Sequence, residues 1–424
     1  MDINSKKIIL HNLTFRGIEA VPGVLDFDQR GLVYMNNGDV CITKTPVEAS
    51  YLAYLENLGW KFNECRFINP ASQTQLTHNS IFYNPKIISA INQSKHYLDT
   101  YNATREEKFF SKKVRVPIYA HSGLSEKFGT KSGFRKLAKK LNLPIPAGFE
   151  KIRTPAELEM AIKKLSELEK KEIAIKIDEG ISGAGITKIS AAEFQSYNKK
   201  EKKRFLKNSL FKLKQAQEGS GATAEEWVPE VIASPSIQIQ VFPDKSWKIV
   251  SMHDQLLEGK EQWYVGCKFP QTALRGEPLK KVLKDVRKFT RYLISKNFNG
   301  FFGIDLILTK NHKWYWVEAN MRKTGTFYPR IIVEKINNGL LKGISYIASD
   351  FTVTKFKGMP FSTLKEKFRE LLYPINGKKE GIILYNVGAL KDAGRFDVVC
   401  IGKNNTTAKT IYSDLKKKIE SNNK

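Results

Sequence analysis

Between residues 7 and 70, short apolar runs alternate with stretches of helical period. Residues 7–10 (Lys-Ile-Ile-Leu), 31–35 (Gly-Leu-Val-Tyr-Met) and 67–70, ending at Pro70, read as strands. Pro46 marks a helix start, and Ala49, Leu52, Ala53 and Leu55 then recur on one buried face until Gly59. Strands and helices in alternation predict a small parallel α/β domain over residues 1–125.

Residues 126–350 mix both periods. A helix over 134–141 stops before Pro144 and Pro146. Thr154-Pro155-Ala156-Glu157 supplies a capping hydroxyl, a proline in the first turn and a glutamate three residues on, so a second helix starts there. A strand over 172–178 leads through a glycine-rich loop, 179–185, into a strand over 186–189. Leu206, Leu210 and Leu213 share one face of a basic surface helix over 199–214, and 215–224 reads as a loop. Strands follow at 237–242, 247–252, 301–308 and 314–319, with a helix over 279–295 between the two pairs. Residues 351–424 add strands near 381–386 and 397–402 and a closing helix from Lys409, a C-terminal α/β appendage. No internal repeat is present.

Composition excludes several classes. The 424 residues are 41% apolar with 28 glycines, a globular balance. The longest mainly apolar run, 300–308, is under half a bilayer span, and the first residues lack the apolar stretch of a signal peptide. A cytoplasmic protein without a membrane partner is expected. Cys41, Cys65, Cys267 and Cys400 lie far apart without CxxC spacing, so they suggest neither a zinc site nor a disulfide framework. The 70 Lys+Arg against 43 Asp+Glu give a net +27, a field that attracts polyanions. The surplus is dispersed, and no zinc finger, basic zipper or RNP aromatic motif accompanies it. Specific nucleic-acid binding is therefore not expected.

The richest chemistry lies in Gly303-Ile304-Asp305 and Glu318-Ala319-Asn320-Met321-Arg322. With the turn centred on Asn311-His312, opposed residues sum to 623, so Leu308 faces Tyr315 and Asp305 faces Glu318. Opposed residues sit about 5 Å apart at Cβ, and like charges there are destabilising unless a cation lies between them. Two carboxylates and an amide oxygen form a hard, all-oxygen set suited to Mg²⁺ or Mn²⁺ shared with phosphates. The competing reading is an acidic pair neutralised by Arg322 or a lysine.

Two further pieces accompany it. Lys176 takes one strand face while Ile173, Ile175 and Ile177 take the other, just before Ser182-Gly183-Ala184-Gly185. A lysine beside a glycine loop can cradle a polyphosphate, the ammonium supplying the point charge and backbone N–H groups the rest. It is not a P-loop, since GxxxxGK[ST] is missing, and an ordinary hairpin turn is its bland alternative. Glu225-Glu226-Trp227-Val228-Pro229-Glu230 is an extended segment that can offer main-chain groups and a carboxylate to an adenine or ribose edge. Otherwise it is a plain strand entry.

In this order the three pieces resemble the ATP-grasp superfamily, typified by D-alanine–D-alanine ligase and biotin carboxylase. The resemblance runs from about Lys127 to Pro329. It implies an ATP-grasp fold of two α+β lobes behind an N-terminal α/β pre-ATP-grasp domain. ATP would lie on Lys131, Lys176, Ser182, Gly183, Gly185, Glu225, Glu226, Val228 and Glu230, with the ribose contact divided between Glu230 and a residue near Ser236. It further implies Mg²⁺ on Asp305, Glu318 and Asn320, and Arg322 stabilising an acyl-phosphate or its adduct. Dimerisation is a habit of the superfamily. The segments Ser234–Gln238, His253–Leu257, Gly266–Pro270 and Lys323–Pro329 resemble the pheganomycin-type peptide ligases.

The implied activity is ATP-dependent joining of a carboxylate and an amine, with amino acids or short peptides as substrates. Gln255, Lys268, Gly325, Thr326 and Arg330 are the expected substrate contacts. Alternatives are an ATP-grasp kinase, a thiol ligase, or a basic nucleic-acid-binding protein in which the acidic hairpin is incidental. His253, Trp314 and Trp316 read as packing residues, and Cys267 does not read as a nucleophile.

Overall fold

A computed structural model describes residues 6–11, 23–69, 82–178, 186–211, 220–259 and 263–421. The chain builds three sheets. The first is four-stranded and wholly parallel, in the order β3-β2-β1-β4: β1 (Lys7–Leu10), β2 (Val40–Ile42), β3 (Arg66–Ile68) and β4 (Tyr97–Thr100). Helix α1 (Ala49–Asn57) lies between β2 and β3 in the chain and buries Tyr51, Tyr54 and Leu55. The expected strand at 31–35 is instead the end of a 3-10 helix, Val24–Tyr34. Leu32 and Val33 of that run are buried in a core shared with Phe327, Tyr328, Tyr385 and Val387 of the C-terminal part.

The second sheet is antiparallel, in the order β5-β8-β6-β7: β5 (Gly148–Ile152), β6 (Glu172–Ile177), β7 (Ile186–Ser190) and β8 (Ala222–Glu226). The loop expected at 215–224 therefore gives way to a strand at Ala222. Between the first sheet and this one runs helix α2 (Lys131–Lys140), capped by Thr130. Helix α3 (Pro155–Glu167) begins at the expected capping box, with Thr154 and Glu157 each bonded to the other's backbone. Helix α4 (Lys199–Ser209) buries Leu206. Ile173, Ile175 and Ile177 all point into the core with α3 and α4, leaving Lys176 on the opposite face.

The third sheet has nine strands. Its path runs β14-β13-β10-β11-β12-β15-β17-β16, with β9 (Val231–Ala233) pairing beside β13. The others are β10 (Pro235–Val241), β11 (Trp247–Glu258), β12 (Trp263–Phe269), β13 (Gly300–Thr309), β14 (Trp314–Asn320), β15 (Ser345–Thr352), β16 (Gly381–Tyr385) and β17 (Arg395–Gly402). One face packs Ile237, Phe302, Ile304, Leu306 and Trp316 against α2 and helix α5 (Gly276–Ser295). The opposite face carries the polar residues described below. Helix α6 (Phe327–Ile336) follows β14, and α7 (Asn405–Ser421) closes the chain. Among the described residues no helix is long and apolar enough to cross a membrane.

The β13–β14 hairpin departs from the expected register in an informative way. Leu308 opposes Trp314, Ile307 opposes Tyr315 and Leu306 opposes Trp316, so sums near the turn are 622. His312 takes a left-handed φ of 58° at the end of a three-residue turn, with Thr309 donating to Lys313 O at 2.8 Å. A bulge between Asp305 and Leu306 then inserts one residue on β14 and restores the Asp305–Glu318 pairing. It also turns Trp316 to the core side, where its ring lies 5.5 Å from that of Phe289.

Candidate active site

Asp305, Glu318 and Asn320 meet on the polar face of the large sheet. Asn320 Nδ2 donates to Asp305 Oδ2 at 2.8 Å and to Glu318 Oε1 at 3.1 Å, bridging the two acids. Its oxygen accepts from Arg322 Nη1. Asp305 also accepts from Ser236 Oγ at 2.6 Å, and Ser236 from Gln238 Nε2 at 2.8 Å. Thr324 Oγ1 donates to Gln238 Oε1 at 2.8 Å and lies 2.8 Å from Thr326 Oγ1. A chain of polar contacts thus runs from Thr326 to the carboxylate pair. Gly303 makes room for it, since a Cβ there would stand 2.8 Å from both Gln238 Oε1 and Thr324 Cγ2.

Burial first, then the charge of Glu318, push the Asp305 carboxyl above the usual range. Glu318 goes the other way. Burial would raise it, but Lys131 and then Arg322 outweigh that penalty and hold it ionised. Lys131 Nζ stands 3.9 Å from Glu318 Oε2 at the first turn of α2, and desolvation lowers its own pKa against the pull of Glu318.

The polar face of the second sheet lies across from these groups. Lys176 forms an ion pair with Glu225, which also accepts from Arg135 Nη1 at 2.5 Å. Burial would raise the Glu225 pKa, but Lys176 and Arg135 together lower it. Glu225 is therefore committed by its side chain to two cations. Glu226 pairs with Lys170 at 3.1 Å. The Trp227 ring lies 3.5 Å under Lys188 Nζ, and Val228 is buried beside it. Glu230 stands apart: it is exposed, takes a left-handed φ of 52°, and lies 3.9 Å from Lys310 at the tip of the hairpin. Of the two ribose assignments, the structure puts Ser236 beside Asp305 and Glu230 away from it. Ser182, Gly183 and Gly185 lie outside the described residues.

Gln255 lies near enough to the Asp305 carboxyl to favour its charged form, and its oxygen accepts from Ser234 Oγ at 2.8 Å. Lys268 lies one strand further, 3.6 Å from Asp254 and 3.2 Å from Thr272 Oγ1. Gly325 sits under Tyr264, whose hydroxyl a Cβ would approach to 3.0 Å, and Thr326 is buried. Arg330 is bound at 2.6 Å by Glu334. His253 is fully buried and bonds Tyr346 Oη at 2.6 Å, and Cys267 is buried with its thiol pushed up to about 12, so neither is exposed for chemistry. All four cysteines are free.

Three supporting residues were not legible beforehand. Arg135 is 2% exposed and bonds both Glu225 and Pro146 O. Its signal was the i, i+4 spacing from Lys131, which puts both cations on one face of α2. Asp178 accepts from Ser132 N at 2.7 Å and Gly221 N at 2.9 Å, tying the start of α2 to the second sheet. Gln238, the middle of the polar chain, gave no signal beyond alternation along β10.

An all-oxygen donor set with one overloaded carboxyl fits a divalent cation. The Asn320 amide would have to present its oxygen instead of its hydrogens. The model of an ATP-grasp domain matches residues 132–326. A ligase from Streptantibioticus cattleyicolor, described as L-propargylglycine–L-glutamate ligase, is 24% identical over 296 residues, 65% of this chain. The match spans 60% of that relative's length. Among solved structures, biotin carboxylase from Campylobacter jejuni superposes with a TM-score of 0.63 at 14% identity, covering 96% of this chain and 89% of its own. An N5-carboxyaminoimidazole ribonucleotide synthetase bound to ADP gives 0.62 at 12% identity, with 99% and 97% covered. The enzyme of that description from Thermus thermophilus gives 0.62 at 10%, with 97% and 98% covered.

Proposed function

From the premise that residues 132–326 are an ATP-grasp domain, we propose that the chain is an ATP-dependent carboxylate–amine ligase acting on amino acids or short peptides. The observation that carries this reading is the opposed pair of a buried Asp305 and a partly exposed Glu318, with Lys131 at 3.9 Å from Glu318. Acids placed so, beside an invading lysine, suit a polyphosphate whose charge must be neutralised on both sides.

Asp305, Glu318 and Asn320 Oδ1 would hold Mg²⁺ or Mn²⁺, which supplies charge neutralisation on the phosphate oxygens when bound. Lys131 and Lys176 then position the β- and γ-phosphates as fixed cations. A carboxylate oxygen of the first substrate attacks the γ-phosphorus, the bond to the β-phosphate oxygen breaks, and ADP leaves. The amine of the second substrate attacks the acyl carbon, phosphate departs, and the amine releases a proton. Arg322, held by Asn320 through backbone and side chain, would face the oxyanion that develops on that carbon. Ser236 keeps Asp305 oriented throughout.

Incubation with Mg·ATP and pooled amino acids, with Glu318→Gln as control, reads nucleotide and new mass together. ADP with a product equal to two pool members less water is the expected outcome, and Glu318→Gln should lower its rate at least about a hundredfold. AMP in place of ADP, or full turnover by the variant, contradicts the mechanism.

A further inference from the structure

On the polar face of the large sheet, β10 and β13 lie side by side, so that Ser236 opposes Asp305 and Gln238 opposes Gly303. Across the hairpin the same rows end at Glu318 and Asn320. Gln238 is therefore the neighbour of a glycine, and its side chain crosses the place a β-carbon would take. A Cβ built on Gly303 would stand 2.8 Å from Gln238 Oε1, 3.0 Å from Nε2 and 2.8 Å from Thr324 Cγ2. The bare row lets one amide reach both Ser236, on its own strand, and Thr324, in the loop that follows Arg322. The β10–β11 ladder also shifts between Gln238 and Ile239, the kind of irregularity that re-aims a side chain.

The hydrogens along this chain follow one order. A carboxylate that serves as a metal ligand only accepts, so Ser236 spends its single hydrogen on Asp305 Oδ1, at 2.6 Å. Ser236 Oγ must then accept, which turns the Gln238 amide so that Nε2 faces it at 2.8 Å. The other end of the amide is an oxygen, and Thr324 Oγ1 donates to it at 2.8 Å. With that hydrogen committed, Thr324 accepts from Thr326 Oγ1, 2.8 Å away. Each assignment forces the next. Ser236, Gln238 and Thr326 are all buried, so the order is set within the fold.

The two oxygens of Asp305 are held by unlike partners. Oδ2 takes Asn320 Nδ2 at 2.8 Å, a group that gives way when the amide turns its oxygen to a cation. Oδ1 takes Ser236, whose hydrogen the rest of the chain holds in place. Oδ1 is thus pinned, and Oδ2 is the oxygen released to a cation. Partners one bond removed from a metal commonly orient its ligands in this way. Only an amide suits the middle position: a carboxylate offers no donor, and a hydroxyl is too short to span the glycine row.

We infer that Gln238 is a positioning residue, a relay that ties the metal-binding carboxylate of Asp305 to the loop Lys323–Thr326, so that a divalent cation settling on Asp305 Oδ2 and the ordering of that loop beside Arg322 are one event. The inference deepens the ligase reading and rests on it for Asp305 as a ligand. A glutamine kept only to fill the space over Gly303 would be replaced without loss by a methionine of the same length.

Electron paramagnetic resonance of free Mn²⁺ in the presence of ADP measures cation binding to the full chain without turnover. Gln238→Met keeps the length and loses both bonds, and it should raise the Kd about tenfold or more, as should Ser236→Ala. The double variant should bind no more weakly than Ser236→Ala alone, because Gln238 reaches Asp305 only through Ser236. Hydrogen exchange of the peptide Lys323–Phe327 gives the second reading. Mn²⁺ with ADP should slow it in the wild type, but at saturation should not slow it in Gln238→Met. Thr324→Val cuts only the outer end of the chain, should lose the slowing too, and serves if Gln238→Met does not fold. A Kd within about twofold of wild type in Gln238→Met, or losses that multiply in the double variant, overturns the relay. Slowing in Thr324→Val equal to that of the wild type overturns it as well. Absence of Mn²⁺ binding by the wild type overturns the metal site and this inference with it, so the two failures are told apart.

Discussion

Asn320 gives both of its amide hydrogens to acids, one to Asp305 and one to Glu318, and receives Arg322 on its oxygen. The amide thereby separates two like charges that oppose each other across the hairpin. Asp305 is pushed up and Glu318 down, so the pair settles with its negative charge on the residue nearer Lys131. Two histidines carry the clearest pH signature. Burial lowers His253 to about 3 and His11 to about 4, the latter against the opposing pull of Asp99. Above pH ~6.5 both are neutral folded or unfolded, and they add no pH dependence. Below it the unfolded chain takes up protons that the folded protein refuses, so stability falls as pH falls, by about 1.4 kcal/mol per unit for each histidine down to pH ~4. Urea unfolding of the wild type and of His253→Gln at several pH values isolates this effect from the buried carboxyls whose raised pKa acts in the opposite sense: between pH ~6 and ~4 the wild type should lose about 1.4 kcal/mol more per pH unit than the variant. An unchanged slope in that variant would place the effect elsewhere.

At the scale of elements, the hairpin β13–β14 shows what alternation can and cannot tell. Its strands, and the opposition of Asp305 to Glu318, follow from period-two spacing and an Asn-His turn. The bulge does not: it follows from the three-residue turn and from Trp316, a large ring that finds its volume beside Phe289. Strict alternation would set Trp316 beside Glu318. Because it is instead fully buried, Trp316→Ala should cost about 3–5 kcal/mol in chemical denaturation. A loss below ~1 kcal/mol would mean that the ring lies on the polar face. Lys176 was legible for the opposite reason, since three isoleucines on one side of β6 force it to the other. The 3-10 helix at Val24–Tyr34 and the buried cations Arg30 and Arg135 were hidden, because their partners are far away in the chain.

The whole molecule is joined by a buried acid. Asp99, at the end of the first sheet, binds Lys323 Nζ at 2.6 Å and His11 Nε2 at 2.8 Å. Burial would raise its pKa, but Lys323 and His11 hold it well below the usual carboxylate range. Lys323 also donates to Thr100 O at 2.6 Å, and Tyr328 to His11 Nδ1 at 2.9 Å. Asp99→Asn leaves Lys323 buried without its counter-charge and should cost about 3–5 kcal/mol of stability. Because Lys323 adjoins Arg322, ATP turnover should fall as well, measured under conditions where the variant remains folded. Full turnover in such protein would show that the N-terminal sheet does not set the position of Arg322.

That shared acid also bears on how such a chain can be altered by descent. An exchange of the N-terminal part for an unrelated one would strand Lys323 next to Arg322, the arginine proposed to face the reacting carbon. Recombination across this boundary succeeds only if the incoming segment brings an anion to the same spot, so the two parts are expected to be inherited together.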